Sequence, residues 1–225
     1  MPSAIISIDG REVELLPERA AFLRAARALV VADLHVGKSE SYRRFGVPAA
    51  DGIDEETLVR LSRAAMRVSA KVIVVVGDLT HSADGIGEAE LARFAEFRER
   101  CSLPMRLVEG NHDRGVRTLP SEWCVDRVGD DFELGGIRFR HEPPAAAPGD
   151  SWTFSGHLHP MLSVSKGTRS VEAPAFVVDH AARTLVLPAF SRFTRGVRVA
   201  PRAGLGIYAV AEHAVVGPID GGSTP

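Results

Sequence analysis

Apolar and polar positions alternate at the start of the chain and then give way to short, unbroken apolar runs. In AIISIDGREVELL (4–16) the alternation is split by Asp9-Gly10, a pattern that predicts a β-hairpin with a tight turn. ALVVA (28–32) and VIVVV (72–76) are continuous, as strands covered on both faces must be, and Met105 to Val108 is expected as a third buried strand. Between them, Leu58, Leu61, Ala65 and Val68 recur at helical spacing over 54–68. Leu91, Phe94 and Ala95 do the same over about 87–100. Strand and helix in turn predict an α/β arrangement with a largely parallel sheet.

The texture changes after Trp123. DFELGGIRFRH, SWTFSGH, FVVDHAARTLVLP and GLGIYAVAEHAVV are short strands, with hairpin tips at Asp179 to Arg183 and at Glu212-His213. They predict a β-meander or second sheet, interrupted by a loop in which Pro143, Pro144 and Pro148 bracket three alanines. The expected architecture is α/β: two packed β-sheets flanked by helices, one domain over 1–220, with GGSTP (221–225) as a frayed tail.

Composition adds bounds. A chain of 225 residues, 45% of them hydrophobic, can bury a sizeable core. Its 27 basic and 29 acidic residues nearly cancel, so net charge points to neither nucleic acid nor a membrane surface. One local asymmetry stands out: from His180 to Ala211 there is no acid, yet Arg183, Arg192, Arg195, Arg198 and Arg202 fall there. A solvated face and a phosphate-binding strip are both open for this run. Cys101 and Cys124 lack metal or redox spacing, and no signal peptide precedes them, so reduced cysteines and a cytoplasmic chain are expected. No apolar run approaches the roughly 18 residues of a membrane span.

The chemistry lies where the apolar runs stop. ALVVA runs into Asp33-Leu34-His35, VIVVV into Gly77-Asp78-Leu79-Thr80-His81, and MRLVE into Gly110-Asn111-His112-Asp113. Later, GGIRFR ends at His141, and SWTFSG ends at His157 and His159. The carboxyl edge of an open α/β sheet is where ligand crevices form. Residues i and i+2 of a strand share a face, so Asp33 with His35, and His157 with His159, are expected to point together while Leu34 and Leu158 pack. Gly77, Gly110 and Gly156 are expected to let the backbone turn sharply before each donor. Asp78, flanked by donors, is the natural bridge between two cations. A set of two Asp, one Asn and four His suits Mn²⁺, Fe or Zn²⁺ better than Ca²⁺.

DLH, GDLTH, GNHD, a lone His and GHLH, in that order, resemble the calcineurin-like metallophosphoesterase superfamily. That resemblance implies a β-sandwich flanked by helices. It implies one metal on Asp33, His35, Asp78 and His159, and a second on Asp78, Asn111, His141 and His157. His112 matches the catalytic histidine of GNH, and Asp113 the acid that often follows it. VADLHVGKSESYRRFGVP, FRHEP, FSGHLHP and LPAF are similar to the bacterial ligase-associated DNA-damage-response phosphoesterases, also described as endonucleases; SRFTRGVRV departs from that group by its arginines.

The expected function is a phosphodiesterase or nuclease of DNA repair that uses two divalent cations, Mn²⁺ first, and a metal-activated water. Its substrate would be a phosphodiester such as DNA, its partners ligase-associated repair proteins, with no membrane. His112 would protonate the leaving oxygen, oriented by Asp113. His81 is either a substrate contact or a supporting residue, and Lys38, Arg192 and Arg195 are candidate substrate contacts. A small-molecule phosphodiesterase or phosphomonoesterase, and a non-catalytic interaction module on the same fold, are the alternatives.

Overall fold

The computed structural model describes residues 2–145, 149–166 and 169–219; Pro148 of the expected loop and the tail 221–225 lie outside the described residues. The first sheet holds β1 (Ala4–Ile8), β2 (Arg11–Leu16), β3 (Ala20–Leu23), β4 (Ala28–Val31), β5 (Val72–Val76), β6 (Met105–Val108) and β7 (Val125–Gly129), side by side in chain order. Asp9 and Gly10 take φ of 48° and 75°, the two left-handed residues that match a hairpin turn to strand twist. The sheet is parallel only from β4 to β7; from β1 to β4 it is antiparallel, so the expected largely parallel sheet is half so. The difference is β3. Its AAFL has little β-branched character, and it is recruited by pairing with β2 and β4.

Among the described residues, three α-helices accompany this sheet: α1 (Lys38–Arg44), α2 (Ile53–Arg67) and α3 (Glu88–Arg100). α2 and α3 lay Leu58, Leu61, Ala65, Phe94 and Phe97 against Leu29, Val31, Ile73, Val75 and Leu107. On α3 the inward residue beside Phe94 is Phe97 rather than Ala95, and Phe94 stacks on Trp123 with ring centroids 4.0 Å apart. The polar α1, which no apolar periodicity announces, begins at Gly37 in the left-handed region, immediately after the first donor loop.

The second sheet comprises β8 (Phe132–Leu134), β9 (Ile137–Phe139), β10 (Trp152–Ser155), β11 (Met161–Lys166), β12 (Arg169–Asp179), β13 (Thr184–Val186), β14 (Arg198–Val199), β15 (Leu205–Val210) and β16 (Val215–Ile219). It is no meander, because β10 lies parallel to both β9 and β13. Its inner face packs Phe139, Phe154, Phe176 and Leu187 against Val30, Ala32, Val74 and Val76 of the first sheet. Burying these aromatic and branched side chains, each on the order of 1.5–3 kcal/mol, holds the two sheets face to face. Parallel β9 and β10 release their carboxyl ends side by side, beside those of β4, β5 and β6. Among the described residues, no helix is long and apolar enough to cross a membrane.

Candidate metal centre

The loops after β4 and β5 stay laced together beyond the strands. Asp33 N donates to Gly77 O (3.0 Å), His35 N to Asp78 O (2.9 Å) and Val36 N to Leu79 O (2.9 Å). The donors themselves have left strand geometry: φ is 57° at Asp33, 52° at His35, 51° at Asp78, 67° at His157 and 46° at His159. The expected strand alternation is therefore not what aligns the pairs. Single left-handed residues turn each donor inward, a conformation costing about 1 kcal/mol or more per residue that the surroundings must hold. Leu34 is buried as expected, but Leu158 is 39% exposed. The glycines also act differently from expectation. Of the three, only Gly77 has positive φ, at 79°; a Cβ there would overlap the His141 ring, one at Gly110 would overlap the Asp78 carboxylate, and one at Gly156 would come within 2.6 Å of Asp33 Oδ2. Close approach of backbone to donors is what excludes a side chain.

All seven expected donors converge. Asp33, His35 and His159 form one set of mutually close donor atoms, and Asp33, Asp78 and His141 another. His159 Nε2 lies 3.1 Å from Asp33 Oδ1, and His141 Nε2 lies 3.4 Å from Asp78 Oδ2. Asn111 Oδ1 faces both His141 Nε2 (3.0 Å) and His157 Nδ1 (3.2 Å), which brings the remaining two donors onto the second set. Both carboxylates lie between the sets: Asp33 is common to the two, and Asp78 sits against His141 while its charge also acts on His35.

Electrostatics divides the histidines. Burial pushes His35 down to about 2, against the pull of Asp78, so its imidazole is neutral with one nitrogen lone pair free. Burial also disfavours charge on His141, but the hydrogen bond and charge of Asp78, with Asp33, lift it to about 9. Burial would raise Asp78, and His141 instead holds it down at about 2. Both ring nitrogens of His35 are buried without a hydrogen-bond partner, while His159 Nε2 faces Asp33 Oδ1. Such orphaned nitrogens, beside carboxylates, fit divalent cations.

His112 sits at the edge of these donors. Its Nδ1 lies 2.6 Å from the carbonyl of His81, its ring stacks on that of His81 at 4.8 Å, and its backbone N–H donates to Asp78 Oδ1. A carbonyl only accepts, so Nδ1 carries the proton and Nε2 is left 3.9 Å from Asp78 Oδ2. Asp113 does not orient this ring, contrary to expectation. Its Oδ1 accepts from Thr80 N and Thr80 Oγ1, both at 3.0 Å, and its Oδ2 from Gly110 N at 3.0 Å and Leu79 N at 3.4 Å. Three orphan backbone N–H groups in the adjoining loops outcompete a neighbouring imidazole for it. His81 is pushed by burial to about 4, and its Nδ1 is buried without a partner.

Lys38 and Arg192 to Arg195 line a cleft of ≈ 460 Å³ over His35, His112 and His159, together with Tyr42, Phe193 and Thr194. Lys38 Nζ donates to Thr194 Oγ1 at 3.0 Å. The segment 190–197 is a strap that no pattern in the sequence marks as a unit. Phe190 N donates to Ala32 O (2.8 Å), Ser191 N to Asp33 O (3.1 Å) and Val197 N to Leu158 O (3.0 Å); His159 Nδ1 donates to Arg195 O (3.0 Å). From outside, Arg19 Nη1 donates to Ser191 O (2.9 Å) and Arg60 Nη2 to Phe190 O (2.6 Å). Arg19 and Arg60 come from remote segments, and their local sequence gives no sign of this role.

Residues 26–184 match the calcineurin-like phosphoesterase family. The chain is similar to the crystal structure of Pseudomonas putida nuclease MPE at 30% identity, covering 95% of this chain and 100% of that one, with a TM-score of 0.82. It also aligns with YfcE, a phosphoesterase from E. coli, at 13% identity over 84% of this chain and 96% of that one, with a TM-score of 0.42. No curated protein matches it.

Proposed function

The chain belongs to the calcineurin-like phosphoesterase family and is a metal-dependent hydrolase, and from that premise we propose that it cleaves phosphodiester bonds of DNA at a centre of two divalent cations, Mn²⁺ first. The observation that carries this reading is the convergence of two donor sets around Asp33 and Asp78, with both ring nitrogens of His35 buried and unpartnered. Asp33, His35, Asp78 and His159 would hold one ion, and Asp78, Asn111, His141 and His157 the other. Bound there, the pair supplies Lewis-acid activation of phosphate and of an attacking water. The chain's own residues do the rest. His112, its Nδ1–H fixed on the His81 carbonyl, presents Nε2 to carry a proton to the leaving oxygen. Asp113 holds the Asp78 and Asn111 loops in register rather than acting on protons. Lys38, which lines the cleft and feels the charge of Asp33 and Asp78, would meet a phosphate of the substrate chain. A nuclease on the same fold at 30% identity and the arginine-bearing strap support DNA as substrate; a role beside ligase-associated repair proteins rests on the sequence resemblance.

The test is hydrolysis of a panel with Mn²⁺: single-stranded and duplex DNA, cyclic nucleotides, and aryl mono- and diesters. DNA cleavage is expected. Turnover of the aryl diester with none of any DNA would move the function to a small-molecule phosphodiesterase. Asp78→Ala should lose metal and activity together, whereas His112→Ala should keep both ions and lose turnover by about 10²–10⁴-fold. Full activity of His112→Ala on an aryl diester would refute the general-acid role, and failure to bind Mn²⁺ at all would favour a non-catalytic module.

A further inference from the structure

Four of the five arginines between His180 and Ala211 have a carboxylate within ion-pair distance, Glu56 being shared with Arg60. Arg183 pairs with Asp9, Arg192 with Glu56 (3.6 Å), Arg198 with Glu172 (2.6 Å) and Arg202 with Asp179 (4.0 Å). Among the described residues, Arg195 makes no ion pair, and it is the one whose own carbonyl is bound by His159 at the cleft. Lys38, across the cleft, likewise has no described carboxylate within ion-pair distance; its ammonium rests on Thr194 Oγ1 at 3.0 Å. Two aromatic rings, Tyr42 and Phe193, edge to face at 5.4 Å, line the same cleft. The strap that carries Phe193 and Arg195 is held from both sides, by Ala32, Asp33 and Leu158 within and by Arg19 and Arg60 without. Two cations without an ion-pair partner and an aromatic pair thus share one cleft, on a strap whose backbone is held in place.

Resting on the reading of the centre as a phosphodiesterase, we propose that Arg195 and Lys38 bind the phosphate next to the scissile one, and that Phe193 with Tyr42 takes the aromatic base between the two phosphates. Arg195 and Lys38 line the cleft over His35, His112 and His159 without belonging to either donor set, so their charges are left for a group beyond the one the cations would hold. A planar guanidinium suits two phosphate oxygens at once, and an aromatic face accepts any base by stacking. The cleft is thereby a site for a nucleotide chain with at least two phosphates, and a lone diester fills only part of it. Arg195 and Phe193 become specificity determinants for the length and composition of the substrate.

The experiment uses the Mn²⁺-loaded protein and three substrates: bis(p-nitrophenyl) phosphate, a dinucleoside monophosphate with one phosphodiester, and a trinucleotide with two. For the unaltered protein, kcat/KM should rise about 10-fold or more from the one-phosphate to the two-phosphate nucleotide, as one charge-assisted contact allows. In Arg195→Ala that increment should shrink below about 3-fold, carried by KM, and Arg195→Lys should restore part of it. Phe193→Ala should lose the advantage of a trinucleotide over its counterpart abasic between the phosphates. An increment that survives in Arg195→Ala, or one absent from the unaltered protein while the aryl diester is hydrolysed, overturns the subsite and leaves the phosphodiesterase reading standing. No turnover of any diester overturns both.

Discussion

At the scale of single residues, Asp113 shows how a motif can name a residue and mislead about its work. GNHD places an acid beside His112, the proposed general acid, and proximity in sequence suggests that one orients the other. The carboxylate instead collects the N–H groups of Leu79, Thr80 and Gly110 and the Thr80 hydroxyl, tying the loop of Asp78 to that of Asn111. Burial raises its pKa, and these donors oppose that rise. Asp113→Asn keeps the shape but leaves one oxygen where there were two, so buried N–H groups lose partners at a cost of about 1–3 kcal/mol. The variant should melt at lower temperature and bind Mn²⁺ more weakly, with turnover falling alongside metal content. Unchanged metal content with lost turnover would return Asp113 to the proton-transfer chemistry. The donor residues themselves were legible because each follows an apolar run. The orientation of Asp113 was not, because it depends on a loop 33 residues away in sequence.

At the scale of elements, continuous apolar runs were readable as strands because burial on both faces leaves no room for polar positions. β4 and β5 are such runs, whereas β6 carries Arg106 among buried Met105, Leu107 and Val108. β3 and α1 were not readable, one Ala-rich and the other largely polar, since both are formed by neighbours rather than by their own pattern. The glycines that end the runs are legible as punctuation, yet their reason is spatial. Gly77→Ala combines a φ of 79° with a Cβ placed on the His141 ring, so it should push that donor out of its set. The expected outcome is loss of the second ion and of turnover, measured by metal analysis per chain. Gly46, with φ 72° and nothing within 4 Å of an added Cβ, is the control: its Ala variant carries only the left-handed penalty of about 1–2 kcal/mol.

At the scale of the molecule, the donors come from both sheets: Asp33, His35, Asp78 and Asn111 from loops of the first, His141, His157 and His159 from loops of the second. Ions held by these residues would therefore clamp the open end of the sandwich. Binding that favours the folded state should stabilise it by about 2.7 kcal/mol per site at 100-fold excess over Kd. Mn²⁺ should raise the melting temperature and EDTA lower it, and Asp78→Ala should be insensitive to either. An equal response in that variant would mean the ions act elsewhere. The two-sheet core was readable in the sequence, whereas the seam was not, because His141 and His157 are brought to Asn111 only by the parallel pairing of β9 with β10. A centre assembled from residues 33 to 159, and roofed by a strap reaching residue 197, has an order in time as well as in space. While the chain is still emerging from the ribosome, its first three donor loops can fold around β4, β5 and β6 without the histidines that complete either ion site. Neither cation could then be fully held until both sheets have been made, and which metal the protein acquires would be decided by the pool that the folded sandwich meets.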